Sequence, residues 1–123
     1  MQPARLDAVM RFLFRPDGRI ARQEFVLGIG LVLAVFAAFN VPLWREDPPA
    51  VLAVLAFMAV SVPLAIAYFV LVVKRCHDIG LPASYVLLLL VPVLGIVWLA
   101  FLAVMPGTGG PNAYGPAPAF AAD

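Results

Sequence analysis

The chain has 123 residues, 64% of them hydrophobic and 12% charged, with a mean hydropathy of +1.02 and a formal net charge of +1. Soluble domains carry about 45–50% apolar and ~25% charged residues, and a globule this small has too little interior to hide the excess. The composition therefore excludes an ordinary soluble domain, and the near-zero charge gives no reason to expect a nucleic-acid partner. The lone cysteine, Cys76, excludes an intrachain disulfide, and the lone histidine, His77, excludes a multi-histidine metal site within one chain.

Residues 5–14 place Leu6, Val9, Met10 and Leu13 at i, i+3, i+4 and i+7, the spacing of one helix face. This predicts a short helix lying at the membrane interface, its amphipathicity blurred by Phe12 and Phe14. Arg15-Pro16-Asp17-Gly18 reads as a tight turn. A second helix is expected from around Arg19 into the first apolar run, with Arg19 and Arg22 sharing a face at headgroup depth.

Three uncharged runs follow, at residues 25–44, 50–73 and 85–105. A spanning helix needs ~20 apolar residues, and one central charge would cost about 2.5–3.5 kcal/mol on insertion. All three runs are therefore predicted to be transmembrane. The first is longer than a signal-peptide h-region of about 7–15 residues and is expected to be retained. Asp47 is the expected N-cap of the second helix, which should extend to Ile79 with Gly80 as its left-handed terminator. Pro63 and Pro92 are expected to kink their helices. Gly30, Ala34 and Ala38 form a ladder of small residues suited to close helix approach. Residues 106–123, rich in proline, glycine and alanine, read as a coil tail.

Seven basic residues flank the odd-numbered side of this threading (Arg5, Arg11, Arg15, Arg19, Arg22, Lys74 and Arg75), against Arg45 alone on the other. The positive-inside rule then predicts a cytoplasmic N-terminus and, with three spans, a C-terminus on the periplasmic or outer side.

The dense polar run Lys74-Arg75-Cys76-His77-Asp78 allows ion pairs at i,i+3 and i,i+4. Adjacent Cys76 and His77 point to different helix faces, a poor metal signature. No acidic or basic residue lies within a span, as many proton-coupled carriers would require. No metal, cofactor or catalytic residue is assigned.

The motifs Phe14-x-x-x-Gly18-Arg19-x-x-Arg22-x-Glu24-Phe25, Lys74-Arg75-x-His77-Asp78-x-Gly80, Pro92-x-x-Gly95 and Pro106-Gly107-x-x-Gly110-x-Asn112-x-Tyr114-Gly115 occur in order around the three runs. Together they resemble the YhaH/YhaI-like family of small bacterial inner-membrane proteins, a domain of unknown function (number 805). The resemblance covers nearly the whole chain. It departs from the family pattern at Val26, Lys74, Cys76 and residues 81–84. It implies an inner-membrane location and marks Arg19, Arg22, Glu24, Arg75, His77 and Asp78 as a candidate structural or headgroup-binding cluster, with Glu24 expected opposite Arg75 and Asp78 opposite Arg19 or Arg22. Asn112, Tyr114 and Gly115 form a tail motif without an assigned role, expected at the opposite membrane face.

The resulting expectation is an all-α integral membrane protein with three spans, an interfacial N-terminal helix and a coil tail. Its expected partners are the bilayer, an anionic phospholipid, and a second copy or another membrane protein. The function expected first is a non-enzymatic interaction or anionic-lipid-binding role. An oligomeric channel or transporter subunit comes second, and a lipid-headgroup enzyme using His77 and Asp78 third.

Overall fold

The computed structural model describes residues 3–118; the expected coil at 119–123 lies outside them. The regular elements of the described chain are all helices, in the order α1 (Pro3–Phe14), α2 (Arg22–Arg45), α3 (Ala50–Ile79), a 3-10 helix (Ala83–Leu90) and α4 (Pro92–Val104).

Helix α1 forms over the predicted segment and buries none of its residues fully. Leu6, Val9 and Met10 are exposed, whereas Phe12, Leu13 and Phe14 pack against the core. The phenylalanines that blur the amphipathic pattern are thus what attaches α1 to the rest of the fold. Helix α2 starts at Arg22 rather than near Arg19. Glu24 accepts the Ala21 N–H at 3.1 Å, satisfying a donor at the helix start. Arg19 and Ile20 consequently stay outside the helix, so Arg19 and Arg22 do not share a helical face.

Helices α2 and α3 are long and apolar enough to cross a bilayer. At ~1.5 Å per residue they measure about 36 and 45 Å, against a hydrocarbon core of ~30 Å. Only 17% and 11% of their most apolar windows are buried, unlike the core helix of a soluble protein. They meet along Phe25, Gly28 and Val32, with Asn40 buried further along α2. A Cβ on Gly28 would lie 3.0 Å from a Leu71 methyl, while Gly30 faces open space. The close approach is therefore at Gly28, and the ladder of Gly30, Ala34 and Ala38 points outward. In the α2–α3 connection Asp47 adopts a left-handed φ of 48°. Pro49, not Asp47, holds the N-cap position of α3.

At its other end α3 closes as expected. Gly80 has φ 91°, its N–H bonds His77 O at 3.0 Å, and the Leu81 N–H bonds Cys76 O at 2.8 Å. These two bonds are the Schellman pattern.

The third predicted span is not a single helix. Pro92 cannot donate to the preceding turn, and proline disfavours helical geometry in the residue before it. Val91 is accordingly extended at φ −95°, ψ 114°. The break yields a 3-10 helix of eight residues and an α-helix of 13. At ~2.0 and ~1.5 Å per residue these measure about 16 and 20 Å, each too short to span. The chain leaves the end of α3 at Gly80 and returns to it at Thr108, whose N–H bonds Asp78 O at 2.7 Å. The third apolar run is therefore a hairpin that enters and exits at one end of the α2–α3 pair. Among the described residues two helices have spanning length, and the segment from Thr108 to Gly115 lies at the end where α2 begins and α3 stops.

Gly95 makes the hairpin possible: its Cβ would lie 3.0 Å from Leu89 O and 3.1 Å from Leu89 Cα. Overpacking of this kind costs about 1–3 kcal/mol. Gly95→Val should lower the thermal unfolding temperature in detergent, whereas Gly30→Ala should not; equal behaviour of the two variants would contradict the hairpin.

Candidate functional site

Helix α3 is mostly exposed along its length but wrapped at its C-terminal end, where Lys74, Arg75, Cys76, His77 and Asp78 are all buried. Successive residues on a helix are rotated by about 100°, so five in a row face every direction. Each polar side chain here meets a different part of the chain.

Lys74 faces α1. Its Nζ donates to Arg11 O at 3.1 Å and Phe12 O at 2.7 Å and lies 5.3 Å from the Phe12 ring centroid. A cation thus caps Phe12 O at the end of α1 and shares Arg11 O with the Arg15 N–H, which bonds it at 3.1 Å.

Arg75 is 0% exposed and faces α4. Its Nε donates to Leu102 O at 2.9 Å, Nη2 to Met105 O, and Nη1 to Ile20 O at 3.3 Å and to Asp78 Oδ2. Arg22 Nη1 adds a bond to Val104 O at 3.0 Å. The end of α4 is therefore closed by two arginines from other helices.

Asp78 faces the segment before α2 and the tail. Arg19 Nε donates to Asp78 Oδ1 at 3.0 Å, and Arg19 Nη2 lies 2.9 Å from the same oxygen, with both side chains at least 97% buried. The rest of the Arg19 guanidinium holds the tail, through Thr108 O at 2.6 Å, Gly110 O at 2.7 Å and Gly115 O at 3.3 Å. One carboxylate is thus held between two arginines, and the surplus positive charge is taken up by backbone carbonyls. Gly107 lies directly against this carboxylate: a Cβ there would be 1.9 Å from Asp78 Oδ2.

His77 faces the tail motif. Its ring stacks on Tyr114 with centroids 4.1 Å apart and planes 4° from parallel, and Nδ1 is 3.0 Å from Gly18 O. Asn112 Nδ2 donates to His77 O at 2.9 Å. Asn112 also holds its own turn, its Oδ1 accepting the Tyr114 N–H at 2.8 Å, while Asn112 and Gly115 exchange backbone bonds.

The structure therefore brings Arg19, Arg75, His77 and Asp78 into one buried knot and joins Asn112, Tyr114 and Gly115 to it. This overturns the expectation that the tail motif lies at the opposite membrane face. That expectation counted the third apolar run as one spanning helix, and the break at Pro92 leaves two helices too short to span. Glu24 caps α2, and Arg22 serves α4. Sequence reasoning missed the roles of Gly107, Thr108 and Lys74. The Pro106-Gly107 pair was visible within the tail motif, but nothing local ties it to Asp78, 29 positions away. Among the described residues no group of three or more His, Cys, Asp or Glu side chains is placed to hold a metal.

A helical chain whose polar residues converge at one end of two membrane-length helices is the architecture defined here. The chain belongs to the family described as a protein of unknown function, DUF805, which matches residues 13–116. Comparisons with curated proteins and with solved structures give no match.

Removing one partner of a buried ion pair costs about 3–5 kcal/mol. Asp78→Asn should lower the thermal unfolding temperature in detergent strongly, and Gly107→Ala should do so too by intruding on the carboxylate. Wild-type stability in both variants would show that the knot is not structural. Separately, His77→Ala should release the tail to limited proteolysis, whereas His77→Phe, which retains a ring against Tyr114, should protect it better.

Proposed function

We propose that this chain is a non-enzymatic protein of the bacterial inner membrane, acting through contact with lipid and with other membrane proteins. The observation carrying this reading is the direction in which its chemistry points. The polar groups of the knot are taken up by internal contacts, whereas the flanks of α2 and α3 and the apolar face of α1 are left uncovered. His77 and Asp78, the residues an enzymatic reading would use, are 9% and 2% exposed and engaged with Gly18, Tyr114, Arg19 and Arg75.

In this reading α2 and α3 cross the bilayer and the hairpin dips into it from the cytoplasmic side. Non-helical backbone at membrane depth is tolerated when protein covers it, and the hairpin packs on α3 and α2. Arg5, Arg11, Arg15, Arg19, Arg22, Lys74 and Arg75 then share the cytoplasmic end with both termini, and Arg45 is alone at the other. The partners are the bilayer, anionic phospholipid and a second copy or another membrane protein.

A fluorescent protein that matures only in the cytoplasm, fused to the C-terminus, should be bright; a dark fusion with an active periplasmic reporter would contradict this threading. Native mass spectrometry from mild detergent should release the protein with bound anionic lipid or as an oligomer. Release as a bare monomer, or ion flux through reconstituted liposomes, would overturn the interaction reading.

A further inference from the structure

The cluster singled out by sequence leaves little cationic surface for a headgroup, because its arginines are buried against carbonyls and Asp78. A different group of cations remains available. A cleft of about 290 Å³ opens where α1 crosses the end of α3, lined by Ala8, Arg11, Phe12, Arg15, Asp17 and Lys74. The grooves elsewhere along α2 and α3 are lined by uncharged side chains.

We propose that this cleft binds a phosphate group presented at the membrane surface, an assignment that rests on the membrane reading above. Three cations face one carboxylate there. Lys74 is 6% exposed and uses two ammonium protons on Arg11 O and Phe12 O, leaving one of its three donors for a ligand. The Arg11 guanidinium has no partner among the described residues and stands at the cleft wall. Arg15 is engaged only by Asp17, in an exposed pair at 3.3 Å with side chains 62% and 69% exposed. Such a pair is weak and yields readily to a phosphate, which accepts the paired N–H donors of a guanidinium.

The position fits a lipid source. Lys74 is the first charge after the apolar stretch of α3, so the cleft sits at headgroup depth. The exposed Leu6, Val9 and Met10 of α1 would seat that helix among the upper acyl carbons. A bound headgroup would then tie α1 to α3 from outside, where Lys74 already ties them from inside.

The test uses the full chain in mild nonionic detergent, titrated with phosphatidylglycerol, phosphatidylcholine or inorganic phosphate and read by native mass spectrometry. Phosphatidylglycerol should be retained in preference to phosphatidylcholine. The Arg11→Gln/Arg15→Gln double variant, altered only at exposed positions, should bind it about a hundredfold more weakly, about tenfold for each lost charge-assisted contact. Arg45→Gln should bind as wild type. If inorganic phosphate displaces the lipid with the same dependence on Arg11 and Arg15, the site takes free phosphate; if it does not, the lipid headgroup is the ligand. Unchanged phosphatidylglycerol binding by the double variant would overturn the site while leaving the membrane reading intact, as would a wild-type oligomer that retains no lipid.

Discussion

A carboxylate buried between two arginines is the interaction on which the rest of this structure depends. Asp78 is 2% exposed and Arg75 is 0% exposed. Their burial at the C-terminal end of α3 makes an unpaired charge there expensive. The pair is therefore strongly committed to its partners, and those partners come from the segment before α2, from the end of α4 and from the tail. Arg19 supplies the second cation and brings the tail with it. Arg75 brings the end of α4. The knot is a junction rather than a pocket: it fixes where the chain enters α2, where the hairpin returns and where the tail lies.

The hairpin shows why so many arginine donors are needed. A helix end leaves carbonyls without partners, and where it is buried there is little water to satisfy them. In α4 those carbonyls are met by Arg75 and Arg22, and in α1 by Lys74. A guanidinium suits this work because its five N–H donors lie in a fixed fork and it remains charged. Three of the basic residues that flank the long helices, Arg22, Lys74 and Arg75, are thus also the caps of helix ends.

Much of this was legible in the sequence. The two long helices follow from uncharged runs of sufficient length, and the end of α3 from Gly80. Membership of the DUF805 family could be read from the ordered motifs. The third span was misread because hydropathy counts apolar residues and is indifferent to whether they form one helix. Pro92 signalled a discontinuity, but a kink and a full break have the same local signature. What distinguishes them is Gly95, which lets backbone meet backbone at Leu89. The tail motif was placed apart from Arg19 as a direct consequence, whereas Thr108, Gly110 and Gly115 bond it. The knot itself was half visible. Opposite charges at Arg19 and Asp78 invite pairing, but bonds from arginines to the carbonyls of Thr108, Leu102 and Met105 leave no trace in residue type. Cys76 and His77 read as facing different ways, and that divergence across residues 74–78 is how one helix end grips several segments.

The most direct measurement is amide hydrogen exchange across residues 106–115 in the detergent-solubilised protein, comparing wild type with Arg19→Gln. In the wild type the Thr108 N–H is bonded to Asp78 O and the Gly115 N–H to Asn112 O, so both should exchange slowly. Losing the arginine that holds Thr108, Gly110 and Gly115 should release the segment, giving fast exchange at Thr108 while the middle of α3 stays protected. Slow exchange in both proteins would contradict the claim that this buried arginine–aspartate contact holds the tail, and fast exchange in the wild type would contradict the knot itself.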